Sequence, residues 1–364
     1  MYTTATGDAG VVGSKSALDR PYGSASAASY SDRLVAGDRA ACDHASARVG
    51  PTSTQGGAGE RVSILMCTYE GEKYLAEQLS SFAAQTYADW RLYVSDDGSR
   101  DATRMQLADF FAARPSHAGG VFDGPQRGFS RNFLSLMCRE DIEGDLFAPS
   151  DQDDVWEPEK LARAVAWIRT IPAHVPALYC SRTELVDEAG RPIGFSTAFN
   201  RPPTFANALV QNIGGGNTMM FNAAARDCLR LAGADLDVVA HDWWAYIVIT
   251  ACGGKVHYDG QPTLRYRQHG ANLIGASSGM AARLRRIRML FQGSLRQWTD
   301  VHLQALEPVR PHMTRENLQV LDAYAKARQQ PVFGRVTGLW RSKVHRQTLL
   351  GNTGLLAAAL LNKI

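Results

Sequence analysis

Val62-Ser-Ile-Leu-Met-Cys67 is where regular patterning begins in this 364-residue chain. A short apolar run of this kind suits a strand buried on both faces, as in parallel sheets. Downstream, Leu75, Leu79 and Phe82 recur at the i, i+4, i+7 spacing of one helix face. Trp90–Ser95 reads as a second strand, closed by the turn Asp96-Asp-Gly-Ser99. A helix through Leu107, Phe110 and Phe111 follows, with Ser99 as its expected N-cap. A strand near Val121, a helix around Phe133 and a strand at Asp145–Ala148 repeat the rhythm. Pro158 opens another helix, which buries Leu161, Val165 and Ile168. Strands alternating with helices predict right-handed βαβ units, and so an α/β fold with a mainly parallel sheet flanked by helices.

After Ala177 the rhythm changes. Leu178–Val186 and a segment from Ile193 flank Asp187-Glu-Ala-Gly190 and read as a hairpin. Upstream, residues 1–60 are rich in Ala, Ser, Gly and Thr and lack the apolar content to fold. From Gly279 the pattern is helical and basic. The expected division is a disordered extension (1–60), an α/β domain (61–278) and a basic helical C-terminal extension (279–364).

Hydrophobic residues at 45% and charged residues at 21% describe an ordinary globular protein. The net charge of +3 hides an asymmetry: beyond Met280, 14 Lys/Arg face 4 Asp/Glu, leaving the rest of the chain acidic. A basic tail predicts an anionic partner. Arg283, Arg285, Arg286 and Arg288 alternate with Leu284, Ile287, Leu290 and Phe291, a pattern that suits an anionic membrane surface. Nucleic acid is disfavoured, because no recognition motif or stacking platform accompanies the charge. The six cysteines stand singly, as reduced cytoplasmic thiols do. With neither a secretory signal nor ~20 successive apolar residues, the expectation is a cytoplasmic protein, peripheral on the inner face of the plasma membrane.

In open α/β sheets, ligands bind beyond the carboxyl ends of the strands. Here those ends carry Thr68-Tyr69-Glu70, Asp96-Asp97 and Asp151-Gln-Asp153-Asp154. Acids gathered in one crevice suit a divalent cation, Mg2+ or Mn2+, shared with substrate phosphates. The alternative is that they favour the dipole of the helix at Pro158, which suffices for Asp154 alone. A calcium loop is excluded because Trp156 stands where glycine is needed. A dinucleotide fingerprint is missing after the first strand, where Thr68-Tyr-Glu-Gly-Glu72 stands, and Gly10–Ser16 lacks P-loop spacing.

Several ordered motifs resemble family 2 glycosyltransferases of the GT-A fold. They are Cys67-Thr-Tyr-Glu-Gly-Glu-Lys-Tyr-Leu75, Gln85-Thr86-Tyr87, Ser95-Asp-Asp-Gly-Ser99, Gly128-Phe-x-x-Asn132 and Ser150-Asp-Gln-Asp-Asp-Val-Trp156. Gly214-Gly-Gly-Asn217, His241-Asp-Trp-Trp244 and Tyr266-Arg-Gln-His-Gly270 continue the likeness, which runs from about Val62 to Gly275 and is closest to a rhamnosyltransferase-like branch. The resemblance implies an inverting transferase acting on a nucleotide-sugar donor, dTDP-L-rhamnose or a UDP-hexose, and a glycan or lipid-linked glycan acceptor. It places Thr68, Tyr69, Glu70, Asp97 and Asn132 around the donor nucleotide, with Asp151 and the Gly215–Gly216 loop nearer the sugar. It assigns the metal to Asp151 and Asp153, with His269 as a further contact, and the base to Asp242. Two departures stand out: Arg127 where Asn is common, and His241 in place of a Glu. From the residues alone, Asp242 also reads as an N-cap for Trp243–Cys252, a role compatible with catalysis, and His269 as a hydrogen-bonded structural group. Trp243 and Trp244 read as core, with one of them able to face the acceptor.

Overall fold

The computed structural model describes residues 60–269 and 293–364. The expected extension before Glu60 and the Arg283–Arg288 stretch lie outside them. β1 (Val62–Thr68), β2 (Trp90–Asp96), β3 (Ala118–Asp123) and β4 (Leu146–Ser150) alternate with α1 (Glu72–Ala83), α2 (Thr103–Ala113) and α3 (Phe129–Met137). Every residue of β1 is buried, as its unbroken apolar run predicts. Leu75, Leu79 and Phe82 of α1 are buried beneath the sheet's outer layer, as their spacing predicts.

β5 (Val155–Trp156) and α4 (Lys160–Ile168) follow, then β6 (Ala177–Ser181), β7 (Glu184–Val186) and β8 (Pro192–Phe195). The chain continues through α5 (Phe205–Ala208), β9 (Met220–Asn222), α6 (Ala223–Ala232), α7 (His241–Ala251), β10 (Lys255–Asp259) and β11 (Leu264–Arg267). The main sheet has seven strands in the order β10-β6-β9-β4-β1-β2-β3, parallel except for β9. A second sheet, β5-β11-β7-β8, stands apart from it.

Two local expectations fail. Leu178–Val186 is not one strand, because the chain leaves the main sheet after Ser181 and enters the second sheet at Glu184. The hairpin itself, β7 with β8, is present. Ser99 does not cap α2: Ala102 holds that position, while the Ser99 hydroxyl donates to the Asp96 carboxylate at 2.6 Å. The Ser99 proton goes to Asp96 in a charge-assisted hydrogen bond, and the Ser99 oxygen accepts from the Glu70 N–H at 2.9 Å instead of from the helix.

α7 is apolar on all sides and almost wholly buried, so it forms the centre of the larger core rather than a surface layer. Trp243 and Trp244 are both buried there, and the Trp243 indole N–H donates to the Ala208 carbonyl at 2.7 Å. The final helices are α8 (Ser294–Ala305), α9 (Arg315–Arg328), α10 (Val332–Arg341) and α11 (Leu349–Leu360). Leu306, Leu321, Tyr324, Leu339 and Leu355 carry them into the same core as α7.

Candidate active site

The register pairs Thr68 with Asp96 and Met66 with Ser150, so β1, β2 and β4 end along one edge. A cavity of about 1780 Å3 opens there. Thr68, Tyr69, Glu70, Asp97, Asn132, Asp151, Asp153, Gly215, Gly216, Asp242 and His269 all line it. Residues up to two hundred positions apart in the chain thus meet, as the strand-end rule predicts.

On the β1–β2 side the side chains divide into braces and open groups. Thr68 is buried and its hydroxyl donates to Asp96 at 2.8 Å. Asn132 is likewise committed: its carboxamide exchanges hydrogen bonds with the Ser95 hydroxyl and carbonyl. Tyr69 is exposed, and its backbone N–H and C=O are both paired with the Gln152 side chain at 2.9 Å. Glu70 holds a left-handed conformation (φ 49°) and accepts from the Arg100 N–H at 2.9 Å. Asp97 accepts from the Gln126 N–H at 2.6 Å. Burial raises its carboxyl above the usual range, opposed by backbone N–H groups of Gln126 and Gly128.

Across the cavity stand the remaining acids. Burial, and then the negative charges of Asp153 and Asp242, push the Asp151 carboxyl up to about 8. Asp153 meets His269 at 2.7 Å, and the His269 ring leans on Tyr74 with centroids 5.1 Å apart. Asp242 is the second residue of α7, and Ala240 occupies the N-cap, so the capping alternative does not hold in its simple form. Its carboxylate accepts from the Trp243 N–H at 2.6 Å and the Gly216 N–H at 3.2 Å. Burial raises its pKa to about 6 against the pull of those donors and Asn212.

Gly216 has a second constraint. A Cβ there would lie 2.2 Å from the His241 imidazole Nε2. His241 is itself fixed, buried and stacked on Phe133 with centroids 3.8 Å apart. Burial drops its pKa to about 3, so the ring is neutral at this site. Arg127, the other departure, pairs with Asp235 at 2.8 Å and ties α3 to the segment leading into α7.

Asp154 does not serve α4 as expected. It is buried, accepts from the Asn217 side chain, and receives the Arg267 N–H at 3.3 Å. Three further residues, not singled out in the sequence, hold the site together. Gln152 clasps the β1–α1 loop. Arg267, buried on β11, donates to the carbonyls of Asp153 and Glu188, pairs with Glu77 and lies over the Tyr74 ring. Asn217 links the glycine loop to Asp154. Their motifs were visible, but their partners lie 63 to 190 positions away, beyond any local pattern.

Asp151, half-buried beside Asp153 and Asp242, ionises only at a cost that a cation would offset, so its environment fits a divalent ion. Among the described residues no group of three or more His, Cys, Asp and Glu side chains could hold an ion.

A helix-flanked, mainly parallel sheet with acids gathered at its carboxyl edge suits a nucleotide-sugar-dependent glycosyltransferase, and the sequence similarities that follow support that class. Residues 63–227 match the profile of "Glycosyl transferase family 2". The chain is 28% identical over 234 residues to the dTDP-rhamnosyl transferase RfbG of Shigella flexneri, a match covering 62% of this chain and 78% of that protein. It is 31% identical over 105 residues to the Escherichia coli UDP-Glc:alpha-D-GlcNAc-diphosphoundecaprenol beta-1,3-glucosyltransferase WfgD, covering 29% of this chain and 40% of that one. Among solved structures it is similar to the mannosyltransferase PcManGT from Pyrobaculum calidifontis in complex with GDP-Man and Mn2+. That likeness has a TM-score of 0.45 at 18% identity, covering 84% of this chain and 86% of the other.

Proposed function

We propose that this protein is an inverting, metal-dependent glycosyltransferase that moves L-rhamnose from dTDP-L-rhamnose to a cell-surface polysaccharide or lipid-linked glycan precursor. The observation that carries the reading is the convergence of Asp242 with Asp151 and Asp153 on one cavity. A scaffold that only bound sugars would have no use for all three. Inversion needs one base to take the acceptor proton, and Asp242 offers a carboxylate raised to about 6. A pKa near neutrality suits a base that must be ionised yet still accept a proton. Its two backbone donors fix the direction of the carboxylate. Tyr69, Glu70 and Asp97 would hold the nucleotide, while Gln152 keeps their loop against the acids.

Asp151 and Asp153 would hold Mg2+ or Mn2+, with His269 orienting Asp153. When bound, the cation supplies Lewis-acid stabilisation of the departing diphosphate. The donor sugar follows the rhamnosyl transferase relative. The UDP-Glc-dependent relative supports a second reading, a UDP-hexose donor at the same site. Working on a lipid-linked acceptor would place the enzyme in the cytoplasm, peripheral on the inner face of the plasma membrane. No helix among the described residues is long and apolar enough to cross a membrane.

The test is thermal denaturation against a panel of nucleotide sugars, with and without Mn2+. The expected result is a raised melting temperature with dTDP-L-rhamnose, or with one UDP-hexose, only when the metal is present. A panel in which no nucleotide sugar moves the transition under either condition contradicts the proposal.

A further inference from the structure

We propose that the last two helices, α10 and α11, form a docking surface for an anionic lipid bilayer. Of the fourteen large hydrophobic side chains that stand exposed among the described residues, eight fall between Val332 and Leu361. On α10, Phe333 is 89% exposed and Trp340 82%. Seven residues apart, they share one helix face, with the exposed Thr337 between them. On α11, Leu349 and Leu350 are 78% and 75% exposed. Leu356 and Leu360 continue from Leu349 at i+7 and i+11, a second outward apolar stripe.

The two stripes are held together. Buried Arg335 donates to the Ala359 carbonyl at 2.8 Å and to the Gln330 carbonyl at 2.9 Å, fastening α11 to α10. Trp340 ends one helix and Leu349 begins the next, so both flank the short connection 342–348. Exposed Arg341 and Lys343 sit at that junction. After Asp322 the chain contains seven Lys/Arg and no Asp or Glu.

This combination selects the occupant. A concentration of exposed apolar side chains in one part of a chain marks an interaction site. An exposed tryptophan beside leucines and cations is suited to the headgroup boundary, where the ring is half in hydrocarbon and the cations meet lipid phosphate. A second copy of the chain is a poor partner, because pairing this face with itself sets cations against cations with no acid to answer them. Nucleic acid would leave the leucines unpaired. The surface deepens the membrane contact named above without depending on the chemistry of the cavity, and its test reads binding rather than turnover.

The experiment uses the full chain and vesicles of phosphatidylglycerol with phosphatidylcholine, against vesicles of phosphatidylcholine alone. The wild type should sediment with the anionic vesicles, and added salt should weaken that binding, as screening requires. Trp340 is the exposed one of the seven tryptophans, so a blue shift in emission should accompany binding and be absent from Trp340→Phe. The quadruple variant Phe333→Ser, Trp340→Ser, Leu349→Ser, Leu350→Ser should keep its melting temperature and bind at least ~10-fold more weakly. Arg341→Glu with Lys343→Glu should also weaken binding, at low salt most of all.

Equal binding by the folded quadruple variant overturns the proposal, since residues 283–288 would then account for all of it. So does a wild type that ignores anionic vesicles. A face already protected from acrylamide quenching in the absence of vesicles, or a dimer that Trp340→Ser dissociates, would assign the surface to the protein itself and equally overturn it.

Discussion

Gly216 donates its backbone N–H to the Asp242 carboxylate at 3.2 Å, fixing the glycine loop to the start of α7. The same glycine faces His241, the residue before Asp242, with no room for a methyl group. Loop and carboxylate are therefore positioned by one close backbone approach.

Gly216→Ala should accordingly damage both stability and turnover. The new Cβ would press on an imidazole already stacked on Phe133, and overpacking of this kind costs roughly 1–3 kcal/mol. Chemical denaturation measures the loss. Adding His241→Ala should recover part of it, because the clash is then removed and the two changes are not additive. Unchanged stability in Gly216→Ala would mean that the loop moves freely.

EDTA should abolish transfer, with Mg2+ or Mn2+ restoring it. Asp153→Ala should lose metal-assisted donor binding together with turnover, measured by calorimetry and by product formation. Full activity in EDTA contradicts the assignment of Asp151 and Asp153.

Arg267→Ala should destabilise the fold by roughly 2–4 kcal/mol, because it leaves the buried carbonyl of Asp153 and its neighbours without donors. At a temperature where the variant is folded, it should also raise the KM for the donor. Comparing kinetic constants well below the melting transition separates the two. A normal KM in the folded variant would show that the Asp153 loop keeps its place unaided.

Stability should fall in acid partly through His302. It is buried between Trp243 and Trp244, neither ring nitrogen has a partner among the described residues, and burial lowers its pKa to about 4. The unfolded chain binds its proton near pH 6.5 while the folded chain does not, so this contribution is intact above about 6.5 and is lost as pH falls toward 4. The full effect is on the order of 3 kcal/mol. In His302→Phe the acid slope of the unfolding free energy should flatten over that window. A slope equal to wild type would contradict the burial of a neutral imidazole.

Much of the site was legible because it depends on strand ends. Apolar runs such as Val62–Cys67 mark β1, and a parallel sheet then gathers whatever follows each strand, here Thr68, Asp97 and Asp151. What escaped detection depends on distant partners. Ser99 obeys the local rule for a cap, but Asp96 competes for it. Asp154 looks like a charge at a helix start, but Asn217 and Arg267 claim it. Leu178–Val186 is apolar enough for one strand, yet the chain crosses between sheets at Arg182 and Thr183, which no periodicity records. Gln152 has no pattern of its own; its role exists only because β1 and β4 are neighbours.

The central claim is that Asp242 is the base. Asp242→Asn keeps size and shape but cannot take a proton. The most direct measurement is turnover of this variant beside its melting temperature and donor affinity. The account predicts an intact fold, unchanged donor binding and turnover lower by at least ~10²-fold, the low end for general-base catalysis. Near-normal turnover in a folded Asp242→Asn enzyme would contradict it.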